Sequence, residues 1–137
     1  PQIILNGNIT YASATSSGLL AIAEQDVLVG LSVPDNMSLN GIFVAQNGRF
    51  GRNHYVTSGV NALPGGLSAY RFRNNLNING TIVSNGREGT KWTSGGVYSS
   101  GFANRFNSYD RNLVISPPPL VPNTSDVFVV TDWKDIR

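Results

Sequence analysis

Residues 36–51, NMSLNGIFVAQNGRFG, are nearly repeated by residues 75–89, NLNINGTIVSNGREG. With one gap opposite Gln46, eight positions are identical: Asn36/Asn75, Asn40/Asn79, Gly41/Gly80, Val44/Val83, Asn47/Asn85, Gly48/Gly86, Arg49/Arg87 and Gly51/Gly89. Apolar residues match at Met37/Leu76, Leu39/Ile78 and Phe43/Ile82. A third, weaker copy is read at Leu5-Asn6-Gly7-Asn8-Ile9-Thr10, near residues 3–11. Self-similarity of this kind means stacked units.

Around the repeats the chain reads as short strands. Residues 3–11 give strand, turn, strand about an Asn-Gly pair. Residues 19–31, LLAIAEQDVLVGL, fit either a helix or two strands split at Gln25-Asp26. Strands are favoured, because Gly30 weakens a helix. The repeated segments read as strands broken at Asn40-Gly41 and Asn79-Gly80, with further corners at Asn47-Gly48 and Asn85-Gly86. Asn and Gly accept the positive φ that corners demand. Residues 52–74 and 90–112 read as loop excursions, the first holding Pro64-Gly65-Gly66. A final strand is expected at residues 126–131.

The expected architecture is therefore a single all-β domain spanning residues 1–137, a short β-solenoid (β-helix-like) with two long excursions. An antiparallel sandwich or barrel with Asn-Gly hairpins is the alternative. Leu39, Ile42, Val44, Ile78, Ile82 and Val83 are the expected core positions, with Asn40 and Asn79 at equivalent corners where they could stack.

Composition narrows the function. Of 137 residues only 13% are charged, about half the usual share. The arginines are scattered rather than clustered, which argues against a nucleic-acid partner. No cysteine is present, excluding disulfides, thiolate metal sites and cysteine nucleophiles. No run of about twenty apolar residues exists, so nothing in the chain is expected to span a bilayer as a helix. The start at Pro1 rather than Met suggests a mature product or an excised domain.

Few residues point to catalysis. His54 stands alone, without a second histidine for zinc or an obvious serine motif. Glu24 and Asp26 could share a strand face, and they are the acids a polysaccharide-cleaving solenoid would use. Glu88 falls opposite Phe50, so the repeat builds no acidic ladder. Asp110 with Asn107 and Ser108, or Asp35 with Asn36, lack the dense spacing of a calcium loop. Gly48-x-x-Gly51 and Gly86-x-x-Gly89 lack the ending of a phosphate loop. No catalytic residue, metal or cofactor is expected.

The aromatic residues are more suggestive, since they fall in the excursions, where binding residues collect. Tyr55, Tyr70, Trp92, Tyr98 and Tyr109, with Arg52 and Arg73 as polar partners, are the candidate contact set for a sugar or partner protein. Equally, the rings could pack the long loops down as a satellite core.

Four stretches carry a resemblance: residues 18–31 (GLLAIAEQDVLVGL), 38–55 (SLNGIFVAQNGRFGRNHY), 76–87 (LNINGTIVSNGR) and 109–137 (YDRNLVISPPPLVPNTSDVFVVTDWKDIR). They resemble the C-terminal β-rich domain of PilX-like, type IV pilus-associated bacterial surface proteins, many from candidate-phylum bacteria. In that family a pilin-like hydrophobic helix precedes the domain. The resemblance implies an extracellular, cell-surface module that is structural or adhesive and not an enzyme. Pilus or envelope subunits are the implied partners, with a glycan or a surface as further possible contacts. Self-association into a filament is a separate possibility, because solenoid ends expose unpaired strand edges.

Overall fold

The computed structural model describes residues 1–13, 16–59, 62–118 and 121. The chain is all-β apart from one 3-10 turn, Ser68–Tyr70, and one short helix, α1 (Asn112–Ile115). Eight strands form: β1 (Ile3–Leu5), β2 (Leu20–Ala23), β3 (Val27–Val29), β4 (Asn36–Ala45), β5 (Phe50–Arg52), β6 (Phe72–Ser84), β7 (Lys91–Ser94) and β8 (Val97–Ser108). They make two sheets, ordered β1-β3-β5 and β2-β4-β6-β8-β7. Successive strands alternate between the sheets up to β6. All pairs are parallel except β7 with β8, so the larger sheet is mixed. No described helix is long and apolar enough to cross a membrane.

The pairing of β4 with β6 follows the sequence repeat. Asn36 lies opposite Asn75, Asn40 opposite Asn79, Gly41 opposite Gly80 and Val44 opposite Val83. In the smaller sheet Ile3 pairs with Val27, and Val27 with Phe50, steps of 24 and 23 residues. The step from Gly51 to its bridge partner Gly89 is longer, because residues 53–71 are inserted before β6.

Side-chain alternation decides what fills the core. In β4 the odd positions Met37, Leu39, Phe43 and Ala45 are buried. In β6 Leu76 and Ile78 are buried, and Ile82 packs against the same cluster. Val27, Val29 and Phe50 of the smaller sheet close it from the other side, with the Phe43 and Phe50 ring centroids 6.0 Å apart. Each fully buried aliphatic or aromatic side chain contributes about 1.5–3 kcal/mol. Three of the expected core positions face away from this cluster. Ile42 and Val44 are half-buried on the outer face, and Val83 is 52% exposed.

The strands do not break at Asn40-Gly41 or Asn79-Gly80; β4 and β6 run through both. Gly41 and Gly80 each adopt φ +144°, which keeps the two strands paired where a residue with a Cβ would be strained. Asn47-Gly48 and Asn85-Gly86 do form corners, stacked so that the Gly86 N–H donates to the Gly48 carbonyl at 2.7 Å. Gly48 is not among the positive-φ glycines. A side chain there would meet Asp26 and the Gln25 backbone, so close stacking, not handedness, is what excludes one.

The proposed third copy does not hold its register. Leu5 pairs with Val29 in the smaller sheet, and it is Ile9 that lies opposite Leu39. Residues 10–19 then leave the sheet before Leu20 rejoins opposite Ile42. Residues 90–112 are also not a loop excursion. Most of them form the β7–β8 hairpin, and β8 is templated in parallel along β6. The expected final strand and the end of the proline run lie outside the described residues.

Asn40 and Asn79 face each other in register, but the side-chain ladder forms one position set away. Asn104 Nδ2 donates to Asn75 Oδ1 at 3.1 Å, and Asn75 Nδ2 to Asn36 Oδ1 at 2.7 Å. Asn75→Ala removes both bonds and should destabilise by about 1–2 kcal/mol, a net of 0.5–1.5 per bond. Asn77→Ala, an exposed neighbour on the same strand, should shift a urea-unfolding midpoint little by comparison.

The interior changes character at its fourth level. The inward rows run Met37, Leu76, Arg105 and Leu39, Ile78, Asn107. Arg105 closes the core by lying 5.8 Å from the Phe50 ring and pairing with Glu88 at 2.6 Å. A polar last layer is what a stack of β-units needs where it ends.

Candidate functional site

Six of the seven candidate contact residues gather on one flank, where β5 meets the starts of β6, β7 and β8. Arg52 is the hub. It lies inward, continuing the row Leu5, Val29, Arg52, and its side chain has no exposed surface. It is therefore not a loop residue reaching into solvent, as the sequence suggested. Its Nη2 donates to the carbonyls of Leu31 at 3.0 Å and Tyr70 at 2.7 Å. The Tyr55 and Phe102 rings lie 5.3 Å from its Cζ. Burial pushes the guanidinium below its ordinary pKa; the Tyr55 and Tyr98 hydroxyls oppose that shift and the Arg73 charge adds to it.

The neighbouring rings are tied into the fold. Arg73 stacks on Tyr70 at 4.7 Å. The Tyr98 hydroxyl sits between the carbonyls of Arg73 and Gly101, and its ring meets Phe72 edge-on at 5.1 Å. Burial raises the Tyr98 pKa, so the hydroxyl stays protonated as a donor. Trp92 donates its indole N–H to the Arg52 carbonyl at 2.9 Å. These contacts fit the satellite-core reading for Tyr98. Tyr109 lies apart, 60% exposed, just after β8.

Trp92 also faces outward into a cleft of about 470 Å³ that it lines with Arg49, Arg87, Glu88, Gly89, Lys91 and Thr93. The repeat explains why two of these arginines are neighbours. Arg49 and Arg87 follow the stacked corners at Gly48 and Gly86, one layer apart. Arg49 Cζ stands 5.8 Å from the Trp92 ring and its Nη2 donates to Asn53 Oδ1 at 3.0 Å. Lys91 donates to the Ala103 carbonyl at 2.9 Å. Arg87 is exposed and makes no hydrogen bond or ion pair among the described residues. The single acid, Glu88, is engaged by Arg105. The sequence marked Trp92 but missed Arg49, Arg87 and Lys91 as its companions; the repeated Asn-Gly-Arg was the available signal.

A second cleft, about 190 Å³, lies where β6 runs on past the end of β8, lined by Ile78, Gly80, Ile82, Glu88, Arg105 and Asn107. The candidate catalytic acids are placed elsewhere. Glu24 and Asp26 sit on the corner between β2 and β3, where Asp26 accepts the Arg49 backbone N–H at 2.8 Å. His54 is not isolated, since its Nε2 lies 3.2 Å from Ser99 Oγ and its ring 5.4 Å from Trp92. No carboxylate among the described residues orients it, as a hydrolytic triad requires. Asp110 accepts the Asn112 N–H at 3.0 Å, and Asp35 holds the Asn74 backbone and side chain, so each acid organises a turn. No group of three potential metal ligands occurs among the described residues. No protein-family model, curated protein or solved structure matches this chain.

Proposed function

We propose that the chain is a short β-solenoid acting as a non-enzymatic, extracellular adhesive module, and that the Trp92 cleft is its contact surface for an acidic glycan. The observation that carries this reading is the cleft itself, where a half-buried indole is ringed by three cations and the one carboxylate is already paired. A sugar ring offers C–H faces to an indole, while guanidinium groups recognise carboxylate or sulfate with two parallel hydrogen bonds. The in-register rows of Asn36, Asn75 and Asn104 support the solenoid and give the cleft a rigid floor. Surface display on a pilus or envelope rests on the sequence resemblance. Recovering the native protein and reading its N-terminus checks it: an apolar segment of about twenty residues ahead of this domain supports an anchor, and its absence contradicts one.

Titration with polygalacturonate, against dextran as a neutral control, tests the cleft. Arg87→Ala leaves the fold untouched and should weaken polyuronate binding about five- to tenfold, a loss of 1–1.4 kcal/mol. Binding should also fall between low salt and 0.5 M NaCl, as screened charges require. Equal binding by the variant, or no preference for the acidic polymer, refutes the assignment.

The rival filament reading is disfavoured by the polar layer of Arg105 and Asn107 and by β7, which covers the edge of β8 at residues 97–101 in the antiparallel sense. Both features obstruct addition of another parallel strand there.

A further inference from the structure

The interior row Leu5, Val29, Arg52 ends on a charge the fold does not balance. Arg52 Nε and Nη1 are buried without a hydrogen-bond partner, and so is Arg73 Nε. Both guanidiniums border Tyr70: Arg52 binds its carbonyl and Arg73 stacks on its ring. The one acid at hand is Asp35, 3.9 Å from Arg73 Nη1, half-exposed and shared with Asn74. Two positive charges thus face one distant negative charge.

Guanidinium does not neutralise itself by losing a proton at accessible pH. Burying an uncompensated charge is costly, and isolated interior charges are paired in folded proteins. The carbonyls of Leu31 and Tyr70 and the flanking rings of Tyr55 and Phe102 offer partial charges only. Water could satisfy the three free N–H donors, but not the net charge. Neither cleft is lined by Arg52 or Arg73, and the free donors have no exposed surface, so the space suits a monatomic ion better than an oxyanion.

We propose that Arg52 and Arg73 hold a buried monovalent anion of chloride size, which locks β5 to the start of β6. This site is separate from the Trp92 cleft and stands whether or not that cleft binds a glycan. It makes chloride a structural ligand of the domain.

Thermal unfolding of the whole chain in sodium chloride or bromide, against sodium gluconate at matched ionic strength, tests it. The halides should raise Tm saturably by several degrees, as any ligand of the folded state does, and gluconate should not. Arg73→Gln, at a site that reaches solvent, should fold and lose the halide response. Arg52→Met should lose it as well. Should that variant fail to fold, Arg73→Gln and the anomalous signal of bromide in crystals decide the matter. A bromide peak within hydrogen-bond reach of Arg52 Nη1 and Arg73 Nε confirms the site. An ordered water there, or melting indifferent to halide, overturns it.

Discussion

Gly80→Ala is expected to destabilise the domain by at least about 3 kcal/mol, enough to leave a marginally stable domain largely unfolded. Two effects add. At φ +144° an L-residue is strained, and such backbone outliers cost about 1–3 kcal/mol. A Cβ at this position would also lie well inside contact distance of the Gly41 carbonyl oxygen, carbon and nitrogen on the paired strand. These are backbone atoms in a continuous parallel ladder, so they have no rotamer by which to yield. Gly65→Ala is the matched control, because Gly65 lacks positive φ and nothing lies within 4 Å of its added Cβ. There the loss of unfolded-state freedom makes the change neutral or stabilising by about 0.4–1 kcal/mol. Urea denaturation of the two variants side by side separates backbone strain from any general intolerance of alanine.

Phe43→Ala should cost about 3–5 kcal/mol, whereas Val44→Ala should cost less than about 1. Phe43 has no exposed surface and packs against the Phe50 ring, so truncation leaves a cavity between the two sheets. Val44 points the other way, into the outer row Ile22, Val44, Val83, two members of which are largely exposed. Unfolding midpoints for the two variants measure the contrast directly. Comparable losses at both positions would mean that the outer row is also covered.

The same contrast shows what the chain's sequence reveals and what it hides. The register of β4 on β6 could be read from the repeat, because parallel in-register pairing places like residues in the same row: Asn36 on Asn75, Gly41 on Gly80. The inward face could not be read as easily. Both alternating sets of β4 are apolar after Gly41, with Ile42 and Val44 on one side and Phe43 and Ala45 on the other. The apolar matches Met37/Leu76, Leu39/Ile78 and Phe43/Ile82 were the better guide, since they name the inward rows. β8 was hidden because its Gly, Ser and Asn residues have low strand propensity. It is a strand because β6 offers it a free edge to pair with. Most of the aromatic and arginine set could be located as a group, since all but Tyr109 surround one flank. Their division of labour could not. Arg52 is buried because it follows Phe50 by two and so shares its inward face. The pairing of His54 with Ser99, 45 residues apart and outside the repeat, left no trace in spacing.

Parallel, in-register stacking of the two repeats is the central claim, and paired nitroxide labels test it in a chain that has no native cysteine to interfere. Cysteine pairs at Ser38 with Asn77 and at Val44 with Val83 place labels on the outer face at both ends of the β4–β6 ladder. Neighbouring strands lie about 4.8 Å apart, so both pairs should show strong dipolar broadening in continuous-wave spectra. The crossed pairs, Ser38 with Val83 and Val44 with Asn77, should show much weaker broadening. Broadening in the crossed pairs and not in the matched ones would mean antiparallel hairpins, and would contradict the stacked architecture and the cleft built on it.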